Sequence, residues 1–334
     1  MTKSLPPTPD PFVRPLADDR YLVGLLAQVT GDPTEVVLRR LIENHEHLGE
    51  GVVEELRRWG IPPFKWSDRL VEFYDQTDVF LYESLTWNRT LQKNDMRRWI
   101  AGYLARDFGR PARILIFGDG LGFDALYFSL AGHEVSYFEV SRRCKSFAQA
   151  IFELNGVTVR MLTAPEEIER GGFDAVVCMD VLEHLPDPPA TVVQFAAGLR
   201  PGGRLIVHAP FYYIPELMVT HLWANRIYSG DLARLYSPVG LRLIGGRLLW
   251  NPIVLEKQPT VSRWSPSAIA SKVVLHCSGL LLAVARFLAM PHVWATSAMM
   301  IPESRRLRAM AGRLRSLDGT VSPGDSEIQA AGRA

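Results

Sequence analysis

The stretch ARILIFGDGLGFDA, residues 112–125, runs from an apolar segment into three glycines at alternate positions, Gly118, Gly120 and Gly122. Glycines there permit a tight turn and close approach of a ligand to the backbone, and a helix starting just beyond offers unpaired N–H groups. Gly120 to Ala125 also satisfies the GxGxxA dinucleotide fingerprint, and Glu139 follows Gly120 by nineteen residues, at the end of the next apolar run. An acid at that place accepts hydrogen bonds from ribose hydroxyls. This strand–turn–helix–strand unit therefore predicts an adenosine-containing ligand. A glycine turn that serves packing alone is the competing reading.

Working outward, short apolar runs keep alternating with helical stretches. The runs are HEVSYFEV (133–140), VTVRML (157–162), DAVVCMD (174–180) and GRLIVHAP (203–210), followed by LRLIGG (241–246) and LLWNPIVLE (248–256). Between the first two, Cys144, Phe147, Ile151 and Leu154 lie at helical spacing, and Gly156 ends the pattern. Strands alternating with helices imply βαβ units and a parallel sheet covered on both faces. Residues 109–257 are thus expected to form a doubly wound α/β domain.

The flanks follow other patterns. Residues 1–17 are rich in proline and polar residues and are expected to be mobile. Residues 18–108 read as a helical cap: stripes of Leu22, Leu25, Leu26 and Val29, then Val37, Leu38, Leu41 and Ile42, are followed by helices over GEGVVEELRRWGIPP, about 67–86 and about 94–107. Residues 258–316 read as a helical extension with an apolar helix (272–290) and a basic one (303–316), and 317–334 as a disordered tail. Between 251 and 316 nine Lys/Arg face two acids, Glu256 and Glu303. Such a segment, with Trp264 and Trp294, suits peripheral contact with an anionic membrane through 272–316. Docking on the core is the favoured reading, because Arg286 interrupts the apolar run.

Composition narrows the function classes. In 334 residues, 47% are hydrophobic and 22% charged, which excludes a disordered, collagen-like or disulfide-framework chain. A net charge of +1 gives no field for a nucleic-acid partner, and none is expected. Cys144, Cys178 and Cys277 form no CxxC pair, so neither a metal site nor a disulfide is predicted. The N-terminus lacks an apolar leader, and the apolar run Val273–Ala285 is 13 residues long, against the roughly 20 needed to span a bilayer. A cytoplasmic location is expected.

FDAVVCMDVLEHLPDP (173–188), followed by LRPGGRLIVHAP (199–210), resembles the class I S-adenosylmethionine-dependent methyltransferases, in particular the small-molecule group called type 11 or type 12. Five elements occur in the family's order: the glycine loop, the acid ending the second strand, the FDAVVCMDVLEH strand, the PGG turn and a final strand pair. FYDQTDVFLYESLTWN (73–88) also looks like the helix preceding the glycine loop in some members. The resemblance implies a Rossmann-like seven-stranded methyltransferase sheet whose last strand is antiparallel, with S-adenosyl-L-methionine over the C-terminal strand ends.

It also implies roles. Gly118, Asp119, Gly120 and Gly122 would pass the methionine portion and ribose, Glu139 would take both ribose hydroxyls, Val140 would touch adenine, and Thr163 and Ala164 would lie at the adenine edge. Cys178, Met179 and Asp180 would lie by the methionine amino group. The alternative for Asp180 is capping a helix that starts near Val181. The family usually carries an acid two residues before the first glycine, where this chain has Ile116; Asp119 and Asp124 are the nearest electrostatic substitutes.

For the acceptor, the candidates are His208, His184 and Tyr212. His208 ends the fifth strand ahead of Phe211, Tyr212 and Tyr213, which read either as a packed aromatic lid or as a wall with a base. His184 is either structural or catalytic. His221 and Asn225 are assigned to a surface or cap contact on the following helix, and Tyr74, Tyr82 and Trp87 to the lid. Methyl transfer leans chiefly on alignment and exclusion of water, so a sparse acid–base constellation suits it. The expected function is methyl transfer to a small-molecule acceptor, a specialised metabolite or lipid-linked intermediate. Two alternatives stand beside it: a nicotinamide-dependent oxidoreductase and a non-catalytic methyltransferase-like module.

Overall fold

In the computed structural model, which describes residues 9–257, 266–285, 287 and 289–318, six helices precede the first strand. Helix α1 (Asp19–Thr30) starts where the Asp18 carboxylate accepts from the Arg20 and Tyr21 amides, and it buries Leu22 and Leu26. Helix α2 (Thr34–Glu46) buries Val37, Leu38, Leu41 and Ile42, and α3 (Glu50–Arg58) buries Val52 and Leu56.

The single helix expected over 67–86 is two: α4 (Asp68–Gln76) and α5 (Val79–Arg89). The break has a tertiary cause. Asp78 accepts from both terminal nitrogens of Arg40 in α2, at 2.6 and 2.5 Å, and the Thr77 hydroxyl donates back to the Phe73 carbonyl. A bidentate ion pair of this kind outweighs the small propensity gained by continuing the helix. Helix α6 (Leu91–Phe108) begins earlier than expected, because the Thr90 hydroxyl caps the Lys93 amide.

The α/β domain then follows as β1 (Arg113–Phe117), α7 (Phe123–Leu130), β2 (Glu134–Phe138), α8 (Arg142–Leu154), β3 (Arg160–Met161) and α9 (Glu166–Glu169). It continues with β4 (Phe173–Met179), α10 (Pro188–Gly198), β5 (Leu199–His208), α11 (Leu232–Leu235), β6 (Leu241–Gly246) and β7 (Ile253–Lys257). The sheet order is β3-β2-β1-β4-β5-β7-β6; β1 to β5 pair in parallel, and β7 is antiparallel to β5 and β6. This is the expected seven-stranded, doubly wound arrangement, with β3 reduced to two residues at the sheet edge. Strand order reverses between β1 and β4, and the crevice at their C-terminal ends is where such sheets bind ligands. Ile116 is buried in the β1 core, which explains why an apolar residue is tolerated at that position.

The cap is fastened to the sheet domain by buried charge. Lys93 Nζ lies 2.9 Å from one Asp124 oxygen and Arg97 Nε 2.7 Å from the other, so α6 grips the start of α7. Burying these three groups is costly singly, and each offsets the desolvation of its neighbours.

The extension forms three helices where two were expected: α12 (Pro266–Ala285), α13 (Ala289–Met299) and α14 (Ile301–Asp318). Pro302 in the first turn of α14 suits a helix start rather than a helix interior. The chain turns back onto the cap: Arg308 pairs with Glu46 and Arg306 with Asp19, and Leu307 is buried. Leu275, Leu282, Val293 and Met300 face inward, whereas Leu280, Phe287 and Trp294 are 72%, 67% and 64% exposed. The extension is therefore docked by one face and apolar on much of the other. Among the described residues no helix is long and apolar enough to cross a membrane. The expectations for residues 1–8, 258–265 and 319–334, and those resting on Arg286, lie outside the described residues.

Candidate active site

The glycine loop is held from beneath by the end of β2. Glu139 accepts from the Gly120 amide through one oxygen (2.9 Å) and from the Val140 and Ser141 amides through the other (2.8 and 2.9 Å). Tyr137 donates its hydroxyl proton to the Gly120 carbonyl. Burial pushes the Glu139 carboxyl up, and these backbone donors partly offset it. A carboxylate has about four acceptor positions, so three amides leave room for a further donor. Gly120 adopts a left-handed backbone, and a Cβ there would meet nothing nearer than Ser84 at 3.7 Å.

Asp180 follows the last residue of β4 with a left-handed backbone, φ 60°, unusual for a residue with a side chain. Its side chain does not cap the short 3-10 turn Leu182–His184, contrary to the capping alternative. One oxygen meets His208 Nδ1 at 2.5 Å; the other accepts from Trp87 Nε1 at 3.0 Å and lies 3.8 Å from Lys93 Nζ. Burial raises the Asp180 carboxyl, but His208, Lys93 and Trp87 outweigh that and hold it well below the usual carboxylate range. An ionised carboxylate only accepts, so His208 carries a proton on Nδ1 and donates it to Asp180.

These groups share one cavity of about 710 Å³, a volume typical of small-molecule sites. Of the residues singled out in the sequence, Gly118, Gly120, Glu139, Val140, Asp180, His184, His208 and Tyr212 line it, as do Tyr74 and Trp87. Others are brought elsewhere. Asp119 caps α7, accepting from the Asp124 and Ala125 amides, and burial with Asp124 nearby pushes its carboxyl up to about 8. Gly122 lies against Ala148 and Phe152. Thr163 and Ala164 give their amides to Glu167, while Cys178 and Met179 point into the two cores flanking the sheet. Tyr82 packs under the Arg40 guanidinium, 4.1 Å from ring centroid to Cζ.

Some lining residues escaped the sequence reading. His221, assigned to a surface or cap contact, is buried in the cavity wall. Asn225, given the same assignment, is buried behind it and donates to the carbonyls of Glu183 and Leu185 at 3.0 and 2.9 Å. Glu83 lines the cavity with Oε2 unpartnered, and burial pushes its carboxyl up to about 7. His292 of α13 closes the roof: Nε2 lies 2.7 Å from Gln92 Oε1 and Nδ1 2.9 Å from the Tyr213 hydroxyl. Glu83 alone carried a local signal, within the YESLTWN segment beside the glycine loop; the rest depend on distant packing.

The chain belongs to the class I S-adenosylmethionine-dependent methyltransferases, and S-adenosylmethionine is its methyl donor. Residues 87–245 match a family model described as a methyltransferase domain. A ubiquinone biosynthesis O-methyltransferase from Aromatoleum aromaticum is 30% identical over 42% of this chain and 69% of its own length; that of Bordetella pertussis is 34% identical over 42% and 67%. Among solved structures, magnesium protoporphyrin IX methyltransferase from Synechocystis PCC 6803 aligns at 18% identity with a TM-score of 0.40, over 57% of this chain and 90% of that one. The chain is thus a methyltransferase, and the nicotinamide-dependent and non-catalytic alternatives are set aside.

Proposed function

We propose that this enzyme methylates a hydroxyl of a small, largely apolar acceptor, a specialised metabolite or lipid-linked intermediate, with His208 receiving the proton. The observation that carries this reading is the Asp180–His208 pair, which opens on the same cavity as the glycine loop. S-adenosylmethionine supplies an activated methyl group on a sulfonium centre. The chain has fitting places for it: the open backbone at Gly120, the remaining acceptor capacity of Glu139 for ribose hydroxyls, and the unpartnered oxygen of Glu83 for an ammonium. Gly118 and Val140 line the same end.

His208 acts at Nε2. With S-adenosylmethionine bound, its methyl group would be supplied to the acceptor oxygen; His208 would take the hydroxyl proton at Nε2, and Asp180 would stabilise the resulting imidazolium. Tyr212, Phe80 and Leu249 on the cavity wall exclude water and favour an apolar body on the acceptor. The relatives named as O-methyltransferases support oxygen as the methylated atom. Incubation with methyl-labelled S-adenosylmethionine and a metabolite extract, followed by mass identification, tests the reading. The expected product is a methyl ether; label appearing on nitrogen or carbon would overturn the choice of atom.

A further inference from the structure

Helix α12 carries apolar residues on opposite sides, and the protein covers one of them. Its buried stripe, Leu275, Ser278, Leu282 and Ala285, recurs at spacings of three and four, and the Ser278 hydroxyl accepts from the Leu249 amide at 2.8 Å. The opposite stripe, Val273, Cys277, Leu280 and Val284, is exposed. Phe287, just beyond the helix, and Trp294 of α13 are exposed as well. The outer side of a surface helix ordinarily carries charged and polar residues. Large apolar side chains in that place mark an interaction surface. The inner sides of the same two helices line the cavity through Ala285, Ala289, Val293 and Thr296. One helical layer therefore separates the cavity from this surface.

We propose that the outer face of α12 and α13 rests on an anionic lipid bilayer. Charge selects the lipid as its partner. From residue 257 to 302 the sequence holds Lys257, Arg263, Lys272 and Arg286 and no Asp or Glu. Anionic headgroups attract such a segment. A second copy of this chain would set the same basic patch against itself with no acid to pair it, because a two-fold contact repeats one surface on both sides. Leucine, phenylalanine and tryptophan suit the boundary between headgroups and acyl chains, which interfacial helices enter by about 5–10 Å. Docking on the protein and contact with lipid are compatible, since they use opposite stripes. The Arg308–Glu46 and Arg306–Asp19 pairs hold the end of the extension on the cap, so the apolar face is presented by a fixed helix. This surface belongs to the extension, beyond the methyltransferase domain of residues 87–245.

The full chain is mixed with vesicles of phosphatidylglycerol and phosphatidylcholine in equal parts, or of phosphatidylcholine alone, and floated on a density gradient. S-adenosylhomocysteine affinity is measured calorimetrically on the same protein. Flotation with the anionic vesicles, weakened by high salt, is expected, with binding to the neutral ones about tenfold weaker or more. Leu280→Glu and Trp294→Glu, both at exposed positions, should each weaken vesicle binding about tenfold or more while leaving S-adenosylhomocysteine affinity and melting temperature unchanged. Cys277 is exposed and Cys144 and Cys178 are buried, so a polarity-sensitive thiol dye on the native protein reports from the outer stripe. Its emission should shift to the blue when anionic vesicles are added. No flotation at low salt, equal binding to both vesicles, or flotation with an unshifted dye would overturn the proposal. So would a concentration-dependent dimer that Leu280→Glu dissociates, which would assign the face to a second copy. If neither variant folds, flotation and the dye on the wild-type chain decide. A chain that stays off the vesicles but binds S-adenosylhomocysteine refutes the lipid surface and leaves the methyltransferase reading intact.

Discussion

His208 Nδ1 and Asp180 Oδ1 meet at 2.5 Å because the parallel register of β4 and β5 pairs Met179 with His208 and sets Asp180 just beyond. The Asp180 amide completes the clasp by donating to the His208 carbonyl at 2.9 Å. If His208 is the base, His208→Asn should lower kcat by about 10²–10⁴ while leaving S-adenosylhomocysteine affinity close to wild type. Turnover measured with the identified acceptor checks this, and near-normal kcat would remove His208 from the chemistry.

Glu139 has two tasks, so its loss should show twice. Charge-assisted hydrogen bonds contribute about 1.5–3 kcal/mol each, and Glu139→Ala should weaken S-adenosylmethionine binding by roughly 2–4 kcal/mol. It also frees the Gly120, Val140 and Ser141 amides, so the melting temperature should fall as well. Calorimetry and thermal melting separate the two effects. A stability loss with unchanged affinity would assign Glu139 to the loop alone.

The glycines should divide in the same way. A side chain at Gly120 enters open space at the cavity, so Gly120→Val should abolish cofactor binding with most of the helical signal retained. At Gly122 a Cβ would stand 2.7 Å from the Ala148 Cβ and 2.8 Å from Phe152, with φ 78°. Gly122→Ala should therefore destabilise the fold by about 1–3 kcal/mol, read as a lowered melting temperature. Equal effects at both positions would contradict the placement of the loop.

Acid stability should depend on His45. Burial, reinforced by Arg89, lowers its pKa from 6.5 to about 4. The unfolded chain then binds a proton that the folded chain refuses, so this stability is present above about pH 6.5 and lost as pH falls towards 4. The loss is of order 2–3 kcal/mol. His45→Gln should make the acid limb of a stability–pH curve shallower by about one proton; an unchanged slope would refute the assignment.

Truncation after Lys257 should remove the cavity roof. His292 would no longer bridge Gln92 and Tyr213, and the cap would lose the Arg308–Glu46 pair and buried Leu307. The expected result is a lower melting temperature and lower solubility. A truncated chain as stable as the full one would show that the extension is not part of the folded unit.

The sequence alone determined the sheet, the glycine loop and the strand-end positions of Glu139, Asp180 and His208. These follow from local rules: a two- or 3.6-residue apolar period, turn glycines, and the placing of polar side chains where strands stop. Only the tertiary structure decided what those side chains meet. Trp87 and Asp180 are 93 positions apart, and Gln92 and His292 are 200 apart. No local period encodes such pairs. For the same reason the helix predicted over 67–86 broke at Asp78, where Arg40 arrives from another element, and Asp119 was spent on capping α7 rather than on the cavity. His221 carried no local sign of burial, because its loop is fixed by the segment around Glu183, 38 residues earlier in the chain. Local physics places residues at the ends of elements, and packing between distant elements chooses which of those ends become a site.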